Sequence, residues 1–504
     1  MIKTNHDAET QLFNLSINEV WDRPIIIAAN RAPATFDKTL DGELSYSRGS
    51  GGLVTALTGL AEYLPTYWIA CARTQADIEW SEGEVKLQGE GFIHVQFLNP
   101  QPQAYEYYYN VISNPILWFL QHSMWDLPRS PVFNQRTWTA WEKGYKAINE
   151  LFAKAIVHEV KKIEKRPLVM LQDYQLYLVG RSIINLMRAR ERPSLLHFVH
   201  IPWPGPDYWR ILPPLMRESI IDSLCAVDLL GFQTRDDGLN FLRTVETFLP
   251  RAAVRYNRGH VWYKNHKTYV KDFPISIDVQ SLRQTAQSQE VAQYYSDIAD
   301  LTGDCTLIVR IDRGDPSKNI IRGFQAFEEM LEFHPEHCRR VKFLAMLIPS
   351  RLGVEEYQTY LDDCMAAAGR VNAKFGDSTW EPIRLMVSEN YPRAVAAMQS
   401  YDVLLVNSIA DGMNLIAKEG PIVNLKDGVL ILSERTGSRQ QLEPGALIIP
   451  PCDIFATAEA MHQALTMAKD EKKEKSNRLK WLIEREDIGN WIQSQLKTIN
   501  DYNL

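Results

Sequence analysis

A chain of 504 residues is too long for one ordinary core, and 45% hydrophobic with 23% charged residues is the balance of a soluble protein with two large domains. A formal net charge of −7 excludes an extended basic surface, so nucleic acid is not expected as the main partner. No apolar run reaches membrane-spanning length, so no membrane association is expected.

Residues 1–9 lack a basic region followed by an apolar core, so no signal peptide is read. Six scattered cysteines without a C-x-x-C pair fit neither a zinc site nor a disulfide framework. A cytoplasmic protein with reduced thiols is expected.

In chain order, residues 24–29 read as a first buried strand. Asn30-Arg31 follows it, and then Arg48-Gly-Ser-Gly-Gly52-Leu before a helical run. Glycines ahead of a helix let the backbone approach a phosphate. An ordinary glycine-rich turn explains the segment equally, and it matches neither the dinucleotide nor the P-loop pattern. Residues 107–118 are rich in aromatic and amide side chains, as a sugar platform would be, or as a buried helix would be. Residues 138–161 read as an amphipathic helix.

Strands at 168–171, 195–199 and 228–232 continue a parallel series. Gln172-Asp173-Tyr174 and His200-Ile-Pro-Trp203 stand at carboxyl ends of strands, where an open α/β sheet draws its ligand contacts. Asp173 could orient a sugar hydroxyl and His200 could contact a transferred ring. A structural hydrogen-bonding role is the commoner fate of a lone residue there. Asp236-Asp237 and Asp362-Asp363 read as solvated helix surface.

An extended segment at 273–278 marks a boundary, and a second series of strands follows at 305–310, 341–348, 403–406 and 429–432. Helices at 320–333 and 353–372 separate them, and 470–504 reads as a charged helical end. Strands alternating with helices in two series predict two doubly wound α/β domains, with ligands in the cleft between them. Arg313 and Lys318 stand on a turn with Gly314, Asp315 and Pro316, right after a strand. Two cations converging on a diphosphate would stabilise a leaving group, although an isolated pair is more simply a solvated basic turn. Asp411-Gly-Met-Asn-Leu415 reads as a turn and helix start with unpaired N–H groups, and Glu419 on that helix could accept both hydroxyls of a ribose. A plain N-cap at Asp411 explains that residue but not the string around it.

Taken together, the chain from Asn30-Arg31 to about residue 470 resembles the trehalose-phosphate synthase family of retaining glycosyltransferases. The segments arrive in that family's order: Gly51-Gly52-Leu53, Tyr109-Asn110, Trp118, Asp173-Tyr174, His200-Ile-Pro, Gly231-Phe-Gln-Thr234 and Phe273-Pro-Ile. Arg313 with Ser317-Lys318, Pro349-Ser-Arg351 and Asp411 through Glu419 complete the order. The resemblance implies the GT-B fold, two Rossmann-like doubly wound domains facing a cleft. Residues 1–280 would form the acceptor side and 281–480 the nucleotide-sugar side, with 481–504 packing back on the first.

It further implies glucose transfer from UDP-, GDP- or ADP-glucose to glucose 6-phosphate, by a front-side displacement with no metal and no cofactor. Gly52, Arg313 and Lys318 would hold the donor diphosphate, with Met413, Asn414 and Leu415 adding backbone contacts. Glu419 would bind the ribose, and Asp411 and His200 the transferred glucose; Arg313, Lys318, Asp411 and His200 form the implied catalytic set. Arg31, Tyr109, Trp118, Asp173 and Arg351 would surround the phosphorylated acceptor. Homo-oligomerisation stays open.

Three departures stand out. Trp68-Ile-Ala-Cys71 replaces a segment in which the family has a tryptophan facing the acceptor. Arg313-Gly-Asp-Pro-Ser-Lys318 varies the usual Arg-Leu-Asp-Tyr-x-Lys, and Gln172 replaces a histidine. These features also resemble the validamycin pseudo-glycosyltransferase, which joins two cyclitols. Another phosphorylated acceptor, such as glycerol 3-phosphate or a cyclitol phosphate, is therefore the alternative, with a catalytically silent sugar-phosphate sensor as the reading from another class.

Overall fold

The computed structural model describes residues 21–38, 41, 43–48, 57, 64–86, 91–351 and 353–504. The chain divides into two compact units, one running to Pro274 and including Ile488–Leu504, the other spanning Ile275–Asp487. No helix among the described residues is long and apolar enough to cross a membrane.

In the second unit six parallel strands form one sheet. Thr306–Arg313 lies inside it, with Val341–Ile348 and then Ile383–Val387 on one side. On the other side come Val403–Val406, Val429–Ser433 and Leu447–Ile449. The chain thus builds outward one way, returns, and builds outward the other way. That reversal falls between Thr306–Arg313 and Val403–Val406, and the crevice at such a point is where doubly wound sheets bind ligands. Alternate residues along the strands enter two separate cores. Leu307, Val309, Leu404 and Leu430 pack on one face, and Ile308, Val403, Leu405 and Ile431 on the other. Burial on both faces explains why these strands read as unbroken apolar runs.

The first unit carries a ten-stranded sheet among the described residues. Its centre is parallel and runs through His266–Asp272, Leu229–Phe232, Ser194–Val199, Leu168–Gln172, Ile25–Ala28, Thr66–Cys71 and Phe92–Leu98. Here the order reverses between Ile25–Ala28 and Leu168–Gln172. The sheet is not parallel throughout, as the sequence had implied. Glu82–Lys86 pairs antiparallel at one edge, and Ala253–Arg255 and His260–Tyr263 form an antiparallel meander at the other.

The predicted helix at 138–161 starts earlier, at Gln135, capped by Asn134, and passes through a π-helical stretch, Trp141–Lys146. The predicted continuous end is two helices, Lys469–Arg485 and Ile488–Asp501. The second belongs to the first unit, where Trp491 Nε1 donates to Phe273 O (3.1 Å). Asp362 and Asp363 are exposed, but Asp237 is buried. Its carboxylate accepts from Trp203 N (2.7 Å) and from the Thr234 hydroxyl, so it ties two loops together instead of facing solvent.

Candidate active site

At the reversal of the second sheet, the strand Thr306–Arg313 hands the chain to a turn built around a buried guanidinium. Arg310 is fully buried and forks onto Asp312 Oδ2 (2.8 and 3.2 Å). It also donates to Lys318 O (2.9 Å) and Ile320 O (3.3 Å), which pins the two ends of the turn to the strand. Asp315 accepts from Ser317 N (2.9 Å) and pairs with Arg351 Nη1 (2.8 Å). Asn319 sits in the left-handed region (φ 58°), and its amide donates to Asn407 O (2.9 Å) and Pro451 O (2.6 Å). The turn is therefore rigid, and Lys318 leaves it in one direction.

Lys318 Nζ meets Asp411 Oδ2, an ion pair between segments 93 residues apart in sequence. Asp411 also accepts from Ser408 Oγ (3.3 Å) and Asn414 Nδ2 (3.1 Å). Asp411 does not cap a helix. The helix is Ile416–Val423, and Asn414 Oδ1 accepts from Ala417 N (3.1 Å) at its start. Asn414 has φ 66°, a conformation asparagine tolerates better than most residues. Asp411 is left to hold Lys318. Met413 is buried, Leu415 half-buried.

Glu419 lies in the first turn of the same helix, and burial pushes its carboxyl up to about 7. Its neighbour Lys418 is buried, donates from Nζ to Ile275 O (2.8 Å), and is pushed down to about 7 by the same cause. Among the described residues of the second unit, Arg313, Lys318, Asp411, Met413, Asn414, Leu415 and Glu419 thus share one end of the sheet. Arg351 belongs to this unit as well, held against the Arg313–Lys318 turn through Asp315 and Tyr357 (2.8 Å). The other four residues implied for an acceptor lie in the first unit.

There, Asn30-Arg31 and Asp173 follow the two strands that flank the reversal. Asp173 adopts φ 71° and accepts from His200 N (3.1 Å) through Oδ1. The His200 ring lies between two glutamines: Nε2 against Gln172 Oε1 (2.9 Å), Nδ1 against Gln233 Nε2 (3.3 Å). A glutamine oxygen accepts and its nitrogen donates, so Nε2 carries the proton. Burial holds His200 down at about 3, so the ring stays neutral through the physiological range. The Gln172 amide fixes the tautomer without adding a second titrating ring.

Tyr107–Trp118 is a π-helix of 12 residues with Pro115 inside it. Its pitch of about 4.4 residues per turn brings residues nine apart onto one face, where an α-helix would put them on opposite faces. Tyr109 and Trp118 are such a pair. Asn114 Nδ2 donates to Tyr109 O (3.0 Å), as a wide turn permits, while Asn114 Oδ1 accepts from Tyr174 OH (2.8 Å). Trp118 stacks on His122 (4.0 Å between centroids) and lies near Tyr174. Tyr109 stacks on Tyr105 at 5.6 Å and 10°.

Trp68 Nε1 donates to Arg31 O (3.0 Å), which anchors that loop. Cys71 is fully buried beside Tyr105 and Tyr108, and burial pushes its thiol far up. It is a packing residue under the aromatic platform. Gly52 lies outside the described residues. Arg310, Gln233 and Lys418 were missed as site-shaping residues. The signal for the first was present: two charges at alternate positions, Arg310 and Asp312, inside an apolar strand.

The family model described as Glycosyltransferase family 20 matches residues 23–501. An alpha,alpha-trehalose-phosphate synthase (UDP-forming) of Pichia angusta is 30% identical over 485 residues, covering 94% of this chain and 98% of its own length. The protein of that description from Schizosaccharomyces pombe is 31% identical over 504 residues, 99% of this chain and 95% of its own. A solved E. coli structure, described as trehalose-6-phosphate bound with UDP-2-fluoro glucose, superposes with a TM-score of 0.80 at 26% identity. It covers 94% of this chain and 99% of that one.

Proposed function

Because the chain belongs to glycosyltransferase family 20, we propose that it moves glucose, with retention, from a nucleoside-diphosphate glucose to glucose 6-phosphate, giving α,α-trehalose 6-phosphate. The observation that carries this reading is the Lys318–Asp411 pair at the reversal of the second sheet, with Arg313 on the same turn. Arg313 and Lys318 take the charge that develops on the leaving diphosphate, which lowers the barrier to breaking the glycosyl bond. Asp411, oriented by Lys318 and Asn414, accepts from a hydroxyl of the glucose, with His200 a second, neutral contact. The C1–oxygen bond to the diphosphate breaks as the acceptor oxygen bonds to C1, and the acceptor proton passes to the departing phosphate oxygen.

The UDP-forming relatives and the UDP-2-fluoro glucose in the E. coli structure favour UDP as the nucleotide. Arg31, Tyr109, Trp118, Asp173 and Arg351 are assigned to the acceptor. The altered segment ending at buried Cys71 favours testing other acceptors beside glucose 6-phosphate.

UDP-, GDP- and ADP-glucose are to be incubated with glucose 6-phosphate, glycerol 3-phosphate and a cyclitol phosphate, following nucleotide release and product mass. UDP release with a product of trehalose 6-phosphate mass is expected. A product formed only with glycerol 3-phosphate or the cyclitol phosphate would replace the acceptor. Donor binding without release in every arm would leave a sensor.

Glu419 adds a pH signature. Its folded-state value is raised, so the carboxyl is protonated below about 7 and ionised above it. A carboxylate accepts from two ribose hydroxyls, whereas the protonated acid has lost one acceptor position. The donor KM is therefore expected to fall as pH rises through about 7. Glu419→Gln should raise KM and flatten the profile; a wild-type profile that is already flat would remove Glu419 from the ribose.

A further inference from the structure

We propose that the second unit carries a binding site for a Zn²⁺-class divalent ion at His334, Glu336 and His462, with His337 beside them, on the far end of the helix that begins at the candidate site. Ligand atoms of His334, Glu336 and His462 all lie within 4.8 Å of one another. His334 Nδ1 is 3.6 Å from Glu336 Oε1, and His462 Nδ1 is 3.8 Å from that same oxygen. His337 Nε2 lies 3.0 Å from His462 Nδ1. An ion with bonds of about 2.0–2.1 Å in tetrahedral geometry sets its ligand atoms roughly 3.3–3.4 Å apart, so small side-chain rotations close this set around one ion.

The surroundings of His334 sharpen the case. His334 Nε2 lies 2.8 Å from Glu459 Oε1, and an ionised carboxylate only accepts, so Nε2 carries the proton. His334 Nδ1 is left facing the Glu336 carboxylate, 3.6 Å from Oε1. A histidine whose far nitrogen donates to a carboxylate is also the arrangement that orients and strengthens imidazole ligands. Imidazole with one carboxylate selects Zn²⁺, Ni²⁺ or Co²⁺ over Mg²⁺, which prefers all-oxygen surroundings.

The side chains come from two elements: the turn after the helix Ile320–Phe333, and the helix Ile454–Thr466. His334 and His462 are already stacked, 3.7 Å between ring centroids at 13°. Their side chains keep 21% and 26% of their exposure and that of Glu336 55%, so an ion can enter from solvent. The ligand spacing hides the site in the sequence, because the third ligand arrives more than a hundred residues after the others. The helix of 14 residues that ends here is about 21 Å long, which separates the site from Lys318 at its other end. The ion would clamp two helices and take no part in transfer.

Zn²⁺ is to be titrated by calorimetry into the full chain stripped with chelator, with Mg²⁺ as the control. Co²⁺ absorption in the visible reads the ligand set independently. One equivalent of Zn²⁺ with micromolar or tighter affinity, a rise of several degrees in Tm, and no response to Mg²⁺ are expected. His334→Ala with His462→Ala should abolish binding, and Glu459→Gln should weaken it about 10–100-fold while leaving the circular dichroism unchanged. Absence of binding below millimolar Zn²⁺, or unchanged stoichiometry in the double variant, overturns the proposal. Since Glu459 is not a ligand, its variant still decides the matter should the double variant not fold.

Discussion

Lys318→Ala is expected to lower turnover about 10²–10³-fold, the range for losing one charge that stabilises a transition state. It should also weaken the second unit. The Lys318 and Asp411 side chains are only 11% and 14% exposed, and removing one partner of a mostly buried pair leaves the other charge without compensation. The two effects come apart with two further variants. Asp411→Asn in the Lys318→Ala chain removes the stranded carboxylate, so stability should return while turnover does not. Arg313→Ala, half-buried at the strand end, should lose turnover on its own. Urea titration and initial rates, measured where each variant is folded, read both quantities. If rate recovered together with stability, Lys318 would be a structural partner and the leaving-group assignment would fail.

Arg310→Met is expected to destabilise the second unit by about 3–5 kcal/mol, the cost of stripping one member from a buried ion pair. Arg310 is wholly buried, so its loss strands Asp312 and frees the carbonyls of Lys318 and Ile320. Lysine is not a substitute. One ammonium cannot span a carboxylate and two carbonyls as a planar guanidinium does. The surroundings are shaped to this group: a Cβ on Gly323 would stand 2.4 Å from Arg310 Nη1, so the helix passes against the guanidinium only because that residue is glycine. Arg310→Met/Asp312→Leu should recover much of the stability but loosen the Lys318 turn, seen as a raised donor KM. A midpoint shift worth under about 0.5 kcal/mol for Arg310→Met would show that the pair is not what holds the turn.

The centre of the second sheet was legible because its strands are buried on both faces, while the less buried strands Ile383–Val387 and Leu447–Ile449 were not read. Residues 341–348 and 403–406 were read with the bounds the structure shows, and the helix at 320–333 likewise. In the first sheet Ile25–Ala28, Leu168–Gln172, Ser194–Val199 and Leu229–Phe232 were legible, and the other strands were not. Phe92–Leu98, for example, alternates Ile93, Val95 and Phe97 with His94 and Gln96 and lacks the run that marks a buried strand. Asp237 was misread as solvated because its partners, Trp203 and Thr234, come from two loops that only the fold brings together. The sequence suggested Asp411 as the N-cap. Asn414 took the helix, since the carboxylate had an ammonium to meet from across the sheet.

The π-helix Tyr107–Trp118 was invisible for a different reason: residue types alone do not separate one winding from another. Its consequence is that the number of residues between Tyr109 and Trp118 matters as much as their identity. Deleting one of the intervening residues would spare both rings, yet turn Trp118 away from Tyr109 by about 80°, one residue's share of a π turn. Two relatives with the same aromatic residues, differing there by one position in length, would present different surfaces from the same segment. Chain length in that stretch is thus a control over what the platform faces, separate from the side chains it carries.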